Sequence, residues 1–112
     1  MIYTAKHKYA PMSARKARLV VDQIRGLGVQ KAMDLLQFQP QRAAHYTRLV
    51  VKSALANADE QEAEVEDLVV SEARVDEGPS TKRVWARGRG RADMLKHRTC
   101  HIIVALDDGK SE

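Results

Sequence analysis

The spacing of apolar residues changes several times along the chain, and each change predicts a different element. Residues 2–10 alternate between apolar or aromatic positions and polar ones, which is typical of a β-strand with one face against a core. The inward face of this predicted strand carries Tyr3, Ala5, His7 and Tyr9. Pro11 ends the strand, because proline lacks the backbone N–H that a sheet ladder uses.

A first helix is predicted directly after Pro11. Ser13 is a suitable N-cap, since its hydroxyl can accept a hydrogen bond from the first unpaired helical amides, and Gly26 is a typical residue just beyond a helix C-terminus. Between them, apolar residues recur at helical spacing and form one stripe, namely Ala14, Ala17, Val20, Val21 and Ile24. Leu19 lies outside this stripe, among charged residues.

Two further helices are predicted at residues 29–38 and 41–58, separated by Pro40. The apolar stripe of the second helix consists of Val29, Ala32, Met33 and Leu36. That of the third consists of Ala43, Tyr46, Thr47, Val50, Ala54 and Ala58, widened by Val51 and Leu55. The acidic segment at residues 59–67 is predicted to be a solvated loop.

A basic segment at residues 76–99 separates two strand-like runs, 68–75 and 100–106. It holds seven Lys or Arg residues against three acidic ones. Such a segment predicts one long two-stranded ribbon that turns near Arg87-Gly88. With about 11 or 12 residues per arm, the ribbon would reach on the order of 35–40 Å. Because it has few apolar residues to bury, we expect it to be mobile in the free protein and ordered only against a polyanion.

These elements together predict an α+β fold, with three helices packed on a small antiparallel sheet and a long extended β-hairpin. The closing strand would turn Cys100, Ile102, Val104 and Leu106 to one face. A length of 112 residues fits a single domain over residues 1–112, with the hairpin at about 76–99.

The distribution of charge predicts a binding face for an anion. The formal net charge is +4 and the isoelectric point is about 9.4. Basic residues concentrate in the first 25 positions and in the hairpin, and acidic residues concentrate at 59–67. A surface that only kept the protein soluble would intersperse the two signs, so the asymmetry favours nucleic-acid binding.

Arginine side chains bind phosphates through paired hydrogen bonds and stack on bases. Trp85, placed near the predicted hairpin tip, is a candidate for stacking on a base. The simpler interpretation is a solvated arginine-rich loop and an ordinary charged helix face. The candidate nucleic-acid-binding residues are Lys6, Lys8, Arg15, Lys16, Arg18, Arg25, Lys82, Arg83, Trp85, Arg87, Arg89, Arg91, Lys96 and Arg98. This pattern does not separate RNA from DNA.

Catalytic chemistry has little support in the residue pattern. A nuclease could hold a divalent metal with carboxylates such as Asp76, Glu77 and Asp93, but these positions imply no pocket. Among the histidines only His97 and His101 have a paired metal spacing, and these two lack a helical frame. No nucleophile–base pair or phosphate loop is present. Cys100 alternates with apolar residues and is interpreted as a small core side chain. We therefore expect no enzymatic activity, no cofactor and no metal site.

The expected location is inside the cell. No apolar run approaches the roughly 18 residues that a membrane span needs, and the N-terminus lacks the apolar segment of a secretory signal. The single cysteine excludes an intrachain disulfide and fits a reducing compartment. No membrane association is expected.

Four segments of the chain resemble the bacterial ribosomal protein L twenty-two family of the large ribosomal subunit. They are SARKARLVVDQIRG (13–26), VVKSALANA (50–58), VDEGPSTKR (75–83) and GRGRADMLKHRTCHIIVAL (88–106). The resemblance covers nearly the whole chain in the order of the family. It is specific, because VDEGP followed by KR, GRAD and an RTSHI-type segment at these spacings is not a general RNA-binding pattern.

The resemblance implies an α+β body on the outer surface of the large subunit and a hairpin that extends through ribosomal RNA. It implies that the hairpin helps line the nascent-peptide exit tunnel, and that Lys82, Arg83, Arg87, Arg89 and Arg91 belong to it. The implied partners are large-subunit ribosomal RNA, neighbouring large-subunit ribosomal proteins and, near the tip, the nascent peptide. The protein would be a monomer within a cytoplasmic ribosome of bacterial type, with an organellar origin left open.

Two other classes of protein remain as alternatives. A DNA-architectural protein also uses basic β-ribbon arms, normally as a dimer with an apolar wedge at the tip. A metal-dependent nuclease is the enzymatic alternative.

Overall fold

The antiparallel pairing of five strands organises the structure, a computed structural model that describes residues 1–109. The elements in chain order are β1 (Ile2–Ala10), α1 (Ala14–Ile24), α2 (Val29–Phe38), α3 (Arg42–Glu60), β2 (Val69–Glu77), β3 (Thr81–Ala86), β4 (Ala92–His97) and β5 (Cys100–Asp107). One sheet has the order β1-β5-β2, and β3 and β4 form a second, two-stranded sheet. The predicted α+β fold is confirmed.

Helix α1 agrees with its predicted pattern in every buried position. Its buried side chains are Ala14, Ala17, Val20, Val21 and Ile24. The Ser13 hydroxyl accepts a hydrogen bond from the Lys16 amide at 3.4 Å and caps the helix. Gly26 follows with φ +85°, a left-handed conformation that glycine adopts without steric cost. Leu19 is 69% exposed, so the core does not use it.

Helices α2 and α3 match their predicted stripes with small differences. Met33 is only half-buried, whereas Val29, Ala32 and Leu36 are buried. Helix α3 continues to Glu60, two residues beyond the predicted end, and a 3-10 turn follows at Val65–Asp67. The acidic segment is therefore partly helical rather than a plain loop.

The central strand β5 is buried on both faces. The predicted inward residues Cys100, Ile102, Val104 and Leu106 are buried. Ile103 and Ala105 are buried as well, although they point to the other face. Ile103 lies between Lys6 and Arg74 in the sheet register, and the aliphatic parts of such long side chains cover a neighbouring apolar residue.

The predicted inward position of Tyr9 is wrong. The register of β1 shifts between His7 and Ala10, so Ala10 becomes buried and Tyr9 is 61% exposed. The Tyr9 backbone has φ +61°, and its amide donates to His101 Nδ1 at 3.0 Å. A β-bulge of this kind reverses the direction of the following side chains.

The molecule is elongated because the hairpin leaves the body. Its principal extents are 63 × 27 × 18 Å and its radius of gyration is 17.2 Å, against about 13 Å for a compact chain of this length. All residues from Thr81 to Met94 are exposed. The body therefore supplies the hydrophobic core, and the hairpin adds no buried apolar surface of note.

The contrast between Leu19 and the buried stripe of α1 gives a prediction about stability. Leu19→Ala is expected to change the free energy of unfolding by no more than about 0.5 kcal/mol, as for exposed positions. Ile24→Ala removes a fully buried side chain from the same helix and is expected to cost about 2–5 kcal/mol. Urea denaturation of the two variants measures both values. A loss of several kcal/mol for Leu19→Ala would contradict this assignment of the helix faces.

Candidate nucleic-acid interface

The hairpin turns one to two residues later than its sequence predicts. Strands β3 and β4 pair from Thr81↔His97 to Ala86↔Ala92, which places Arg89 at the centre of the turn. Arg89 has φ +61° and Gly90 has φ +73°, and the Arg87 amide donates to the Arg91 carbonyl at 2.7 Å. The two glycines of the RGRGR segment allowed either position for the turn, and the structure uses the later one.

Trp85 lies along the hairpin arm rather than at its tip. It pairs with Asp93 across the ladder, and its residue surface is 53% exposed. The predicted position at the tip is therefore wrong, whereas its accessibility to a partner remains. Arg83 and Trp85 point to the same face of β3, since side chains two positions apart share a face.

Most of the positive charge on the hairpin has no acidic partner. Arg87 pairs with Asp93 at 2.9 Å. Within the part of the chain that the structure describes, Lys82, Arg83, Arg89 and Arg91 form no ion pair. Lys82 also lies directly opposite Lys96, and like charges in that position repel each other. An external polyanion would relieve this repulsion.

The root of the hairpin is a short irregular junction between the two sheets. Residues 78–80 connect β2 to β3, and residues 98–99 connect β4 to β5. The Gly78 amide donates to the Thr99 carbonyl at 3.0 Å, and the Thr99 hydroxyl donates to the Pro79 carbonyl at 2.6 Å. A Cβ on Gly78 would lie 2.5 Å from the Thr99 hydroxyl oxygen, so a larger residue here would displace the Thr99 side chain.

A groove lies between this root, the start of α1 and the start of α3, and we call it the root groove. It comprises two adjoining cavities of about 840 and 320 Å³. The residues that line both cavities are Ser13, Lys96, Arg98 and Thr99. The cationic residues around it are Arg15, Lys16, Arg18, Arg42, Lys96 and Arg98. Among residues 1–109, none of these six forms an ion pair. The positive charge in the root groove is therefore largely uncompensated, with Glu77 as the acidic residue in its lining.

The exposed side chains of Arg18 and Arg25 also donate hydrogen bonds to backbone carbonyls of β2. Strand β2 is at the edge of its sheet, and its Val75 carbonyl accepts two hydrogen bonds from Arg18, at 3.0 and 3.2 Å. The Ala73 carbonyl accepts hydrogen bonds from Arg25. Arg25 also pairs with Asp22 at 2.9 Å. These two guanidinium groups therefore cover an otherwise open strand edge.

The structure brings together only part of the predicted set. Five predicted residues line the root groove, namely Arg15, Lys16, Arg18, Lys96 and Arg98. Six lie along the hairpin, namely Lys82, Arg83, Trp85, Arg87, Arg89 and Arg91. Lys6, Lys8 and Arg25 lie elsewhere on the body, and the root groove includes none of these three. Their role in nucleic-acid binding stays a prediction.

Sequence reasoning missed Arg42, which lines the larger cavity. Its guanidinium lies 5.5 Å from the centre of the Tyr46 ring and donates to the Tyr46 hydroxyl at 3.1 Å. A signal was present, because Arg42 begins a helix that has no acidic residue in its first turn. A cation at that end is unfavourable for the helix dipole, which indicates another use for the charge.

The structure also bears on the predictions for Cys100, for metal binding and for membrane spans. Burial raises the pKa of the Cys100 thiol, and the nearby charge of Arg18 partly offsets this effect, so the prediction of a core side chain is confirmed. Residues 1–109 include no group of three or more His, Cys, Asp or Glu residues placed to hold a metal ion. No helix in the described chain is both long and apolar enough to span a membrane.

Comparison with known families gives one match that covers most of the chain. The family model described as ribosomal protein L22p/L17e matches residues 5–107. The matched range includes the three helices, the hairpin and the root groove.

The crowding at the hairpin root predicts an unequal effect of two glycine substitutions. Gly78→Ala is expected to destabilise the protein by about 1–2 kcal/mol, because the new methyl group displaces the Thr99 side chain. Gly88→Ala is the control in the same hairpin, since a Cβ added there would meet nothing within 4 Å, and we expect a change within about 0.5 kcal/mol. Thermal unfolding measures both. If Thr99→Ala does not lessen the effect of Gly78→Ala, the proposed collision is wrong.

Proposed function

The chain belongs to the ribosomal protein L22p/L17e family, and from this membership we propose separate roles for the body and the hairpin. As a member, it is a structural protein of the large ribosomal subunit that binds ribosomal RNA beside neighbouring ribosomal proteins. We propose that the body anchors the protein to the RNA and supports subunit assembly. The hairpin continues through the RNA and lines the nascent-peptide exit tunnel.

The observation that carries this proposal is the exposed hairpin with uncompensated charge. Thr81 to Met94 are all exposed, and the cations of this stretch outnumber its single acidic residue, Asp93. Ordering such a segment costs conformational entropy that its own contacts do not offset. Phosphates around the hairpin would supply charge-assisted hydrogen bonds to the arginine forks.

The proportions of the hairpin also support the tunnel role. The hairpin is only two strands wide in a molecule 63 Å long, which suits an arm that passes between RNA helices. We propose that the nascent peptide passes near the turn at Arg89, and that one copy of residues 1–112 acts as a single domain in each ribosome. The proposed location is the cytoplasmic ribosome, and no catalytic role is proposed.

The hairpin tip disfavours the DNA-architectural alternative. Proteins of that class insert an apolar side chain between base steps at the end of the arm. Here the tip consists of Gly88, Arg89 and Gly90, and Trp85 lies several residues away in β3. Binding to large-subunit RNA compared with duplex DNA tests this alternative directly.

The distribution of charge predicts strong salt dependence of RNA binding. If about eight phosphates are contacted, the slope of log K against log salt should be on the order of −6 for largely single-stranded sites, and steeper for duplex ones. Filter binding to a large-subunit RNA fragment at several salt concentrations measures the slope. An affinity that hardly changes between low and physiological salt would refute phosphate neutralisation as the main term.

Shortening the hairpin should separate its role from that of the body. Replacing Val84–Met94 by Asn-Gly keeps the Arg83↔Leu95 pair and closes the arms with a favoured two-residue turn. We expect a folded protein that still co-sediments with large subunits in high salt, with altered nascent-chain passage. A full-length control, Arg89→Gln with Arg91→Gln, removes charge without removing length. A shortened protein that no longer enters the subunit would contradict the division of roles.

Relaxation measurements on the free protein test whether RNA is needed to order the hairpin. Residues from about Ser80 to Lys96 should show larger backbone motions than the helices, since RNA is what orders them. A hairpin as rigid as the helices in the absence of RNA would contradict it.

A further inference from the structure

We propose that the root groove holds one unstacked nucleotide of an RNA strand, with its base against Leu19 and its phosphate between Lys96 and Arg98. This inference rests on the proposed function, because it assigns a specific RNA conformation to one part of the RNA-binding surface. It also gives a purpose to Leu19, which the core does not use.

The first argument is the apolar wall of the larger cavity. Pro11, Met12, Leu19 and Ala43 line it on the body side. Leu19 is 69% exposed and projects from the charged face of α1. An isolated exposed leucine needs no explanation, but this one shares a concave surface with three other apolar residues. Such a surface suits the flat, weakly hydrated face of a base.

The second argument is the arrangement of charge around that wall. Lys96 and Arg98 line both cavities, Arg15 and Arg18 line the smaller one, and Lys16 and Arg42 line the larger one. Glu77 is the acidic residue in the lining of the smaller cavity. An apolar wall beside a dense cationic rim matches a nucleotide, which joins an apolar base to an anionic phosphate.

The shape of the groove favours an unstacked nucleotide over a duplex. The apolar residues lie inside a concavity between two helix starts and the hairpin root. A base within a stacked, paired helix cannot reach them, whereas the base of a loop, bulge or single strand can leave the stack and enter. Duplex phosphates could still touch the cationic rim, but Leu19 would remain in solvent.

A nucleotide bound in this groove would also fix the direction of the hairpin. One wall of the groove comes from the starts of α1 and α3, and the other comes from residues 96–99, which are the end of β4 and the hairpin root. The two-stranded sheet is separate from the body sheet. A ligand that contacts both walls therefore restrains the junction between them.

The test uses methyl resonances of the full chain and three probes. Single-stranded hexaadenylate, a blunt RNA duplex and inorganic tripolyphosphate are titrated separately into protein with labelled leucine methyl groups. Hexaadenylate should move the Leu19 methyl resonances upfield, because they lie against a base and experience its ring current. Tripolyphosphate and the duplex should not produce this shift. Leu49, which is 45% exposed and does not line the groove, serves as the internal control.

Two pairs of variants test the apolar wall and the cationic rim separately. Leu19→Ala should weaken hexaadenylate binding about fivefold, whereas Leu49→Ala should leave it unchanged. Lys96→Gln with Arg98→Gln should weaken both hexaadenylate and tripolyphosphate. Lys31→Gln with Lys52→Gln removes the same charge from exposed positions outside the groove and should have the smaller effect.

The outcomes distinguish this inference from the proposed function. Hexaadenylate that binds the hairpin while the Leu19 resonances stay unchanged would overturn the nucleotide site and leave RNA binding intact. An equal shift of Leu19 by an acidic peptide such as hexaglutamate would overturn the assignment to RNA. If neither hexaadenylate nor a large-subunit RNA fragment binds the intact protein, both the site and the proposed function are wrong.

Discussion

The structure depends on the hydrogen bonds that pair the backbone groups on the outer edge of β2. An open strand edge exposes unpaired carbonyls and amides that favour aggregation. Here the Gly26 amide donates to the Val70 carbonyl at 2.9 Å, and the Val70 amide donates to the Leu27 carbonyl at 2.9 Å. The guanidinium groups of Arg25 and Arg18 continue this cover along the same strand. Helix α1 and the loop after it therefore hold the edge strand from which the hairpin begins.

This arrangement connects the exposed hairpin to two strands of the body sheet. The two hairpin strands continue from β2 and into β5, and β5 is the central strand, buried apart from the half-buried His101 and Asp107. The hydrophobic core thus stabilises the base of the arm, although the arm itself buries almost nothing. Apolar burial stabilises the body, and we propose that phosphate contact orders the arm.

The sequence predicted the elements whose cause is local. The buried stripe of α1 and the Ser13 cap follow from helical spacing and one hydroxyl, and the structure confirms both. The bulge at Tyr9 was not predictable, because a positive φ at a tyrosine leaves no mark in the residue pattern. The turn at Arg89 was misplaced because glycines at 88 and 90 fit two registers. Arg42 was missed because its position at a helix start is a weak local signal, and the root groove forms only when three distant segments meet.

The junction at the hairpin root has three residues on one arm and two on the other, and this imbalance has a geometric consequence. Side chains alternate between faces along a strand, so a one-residue change of register turns every one of them over. Removing a single residue from positions 78–80 would rotate Arg83 and Trp85 to the opposite side of the arm, with every charge retained. The number of residues in this junction, more than their identity, therefore determines which partner each face of the hairpin meets.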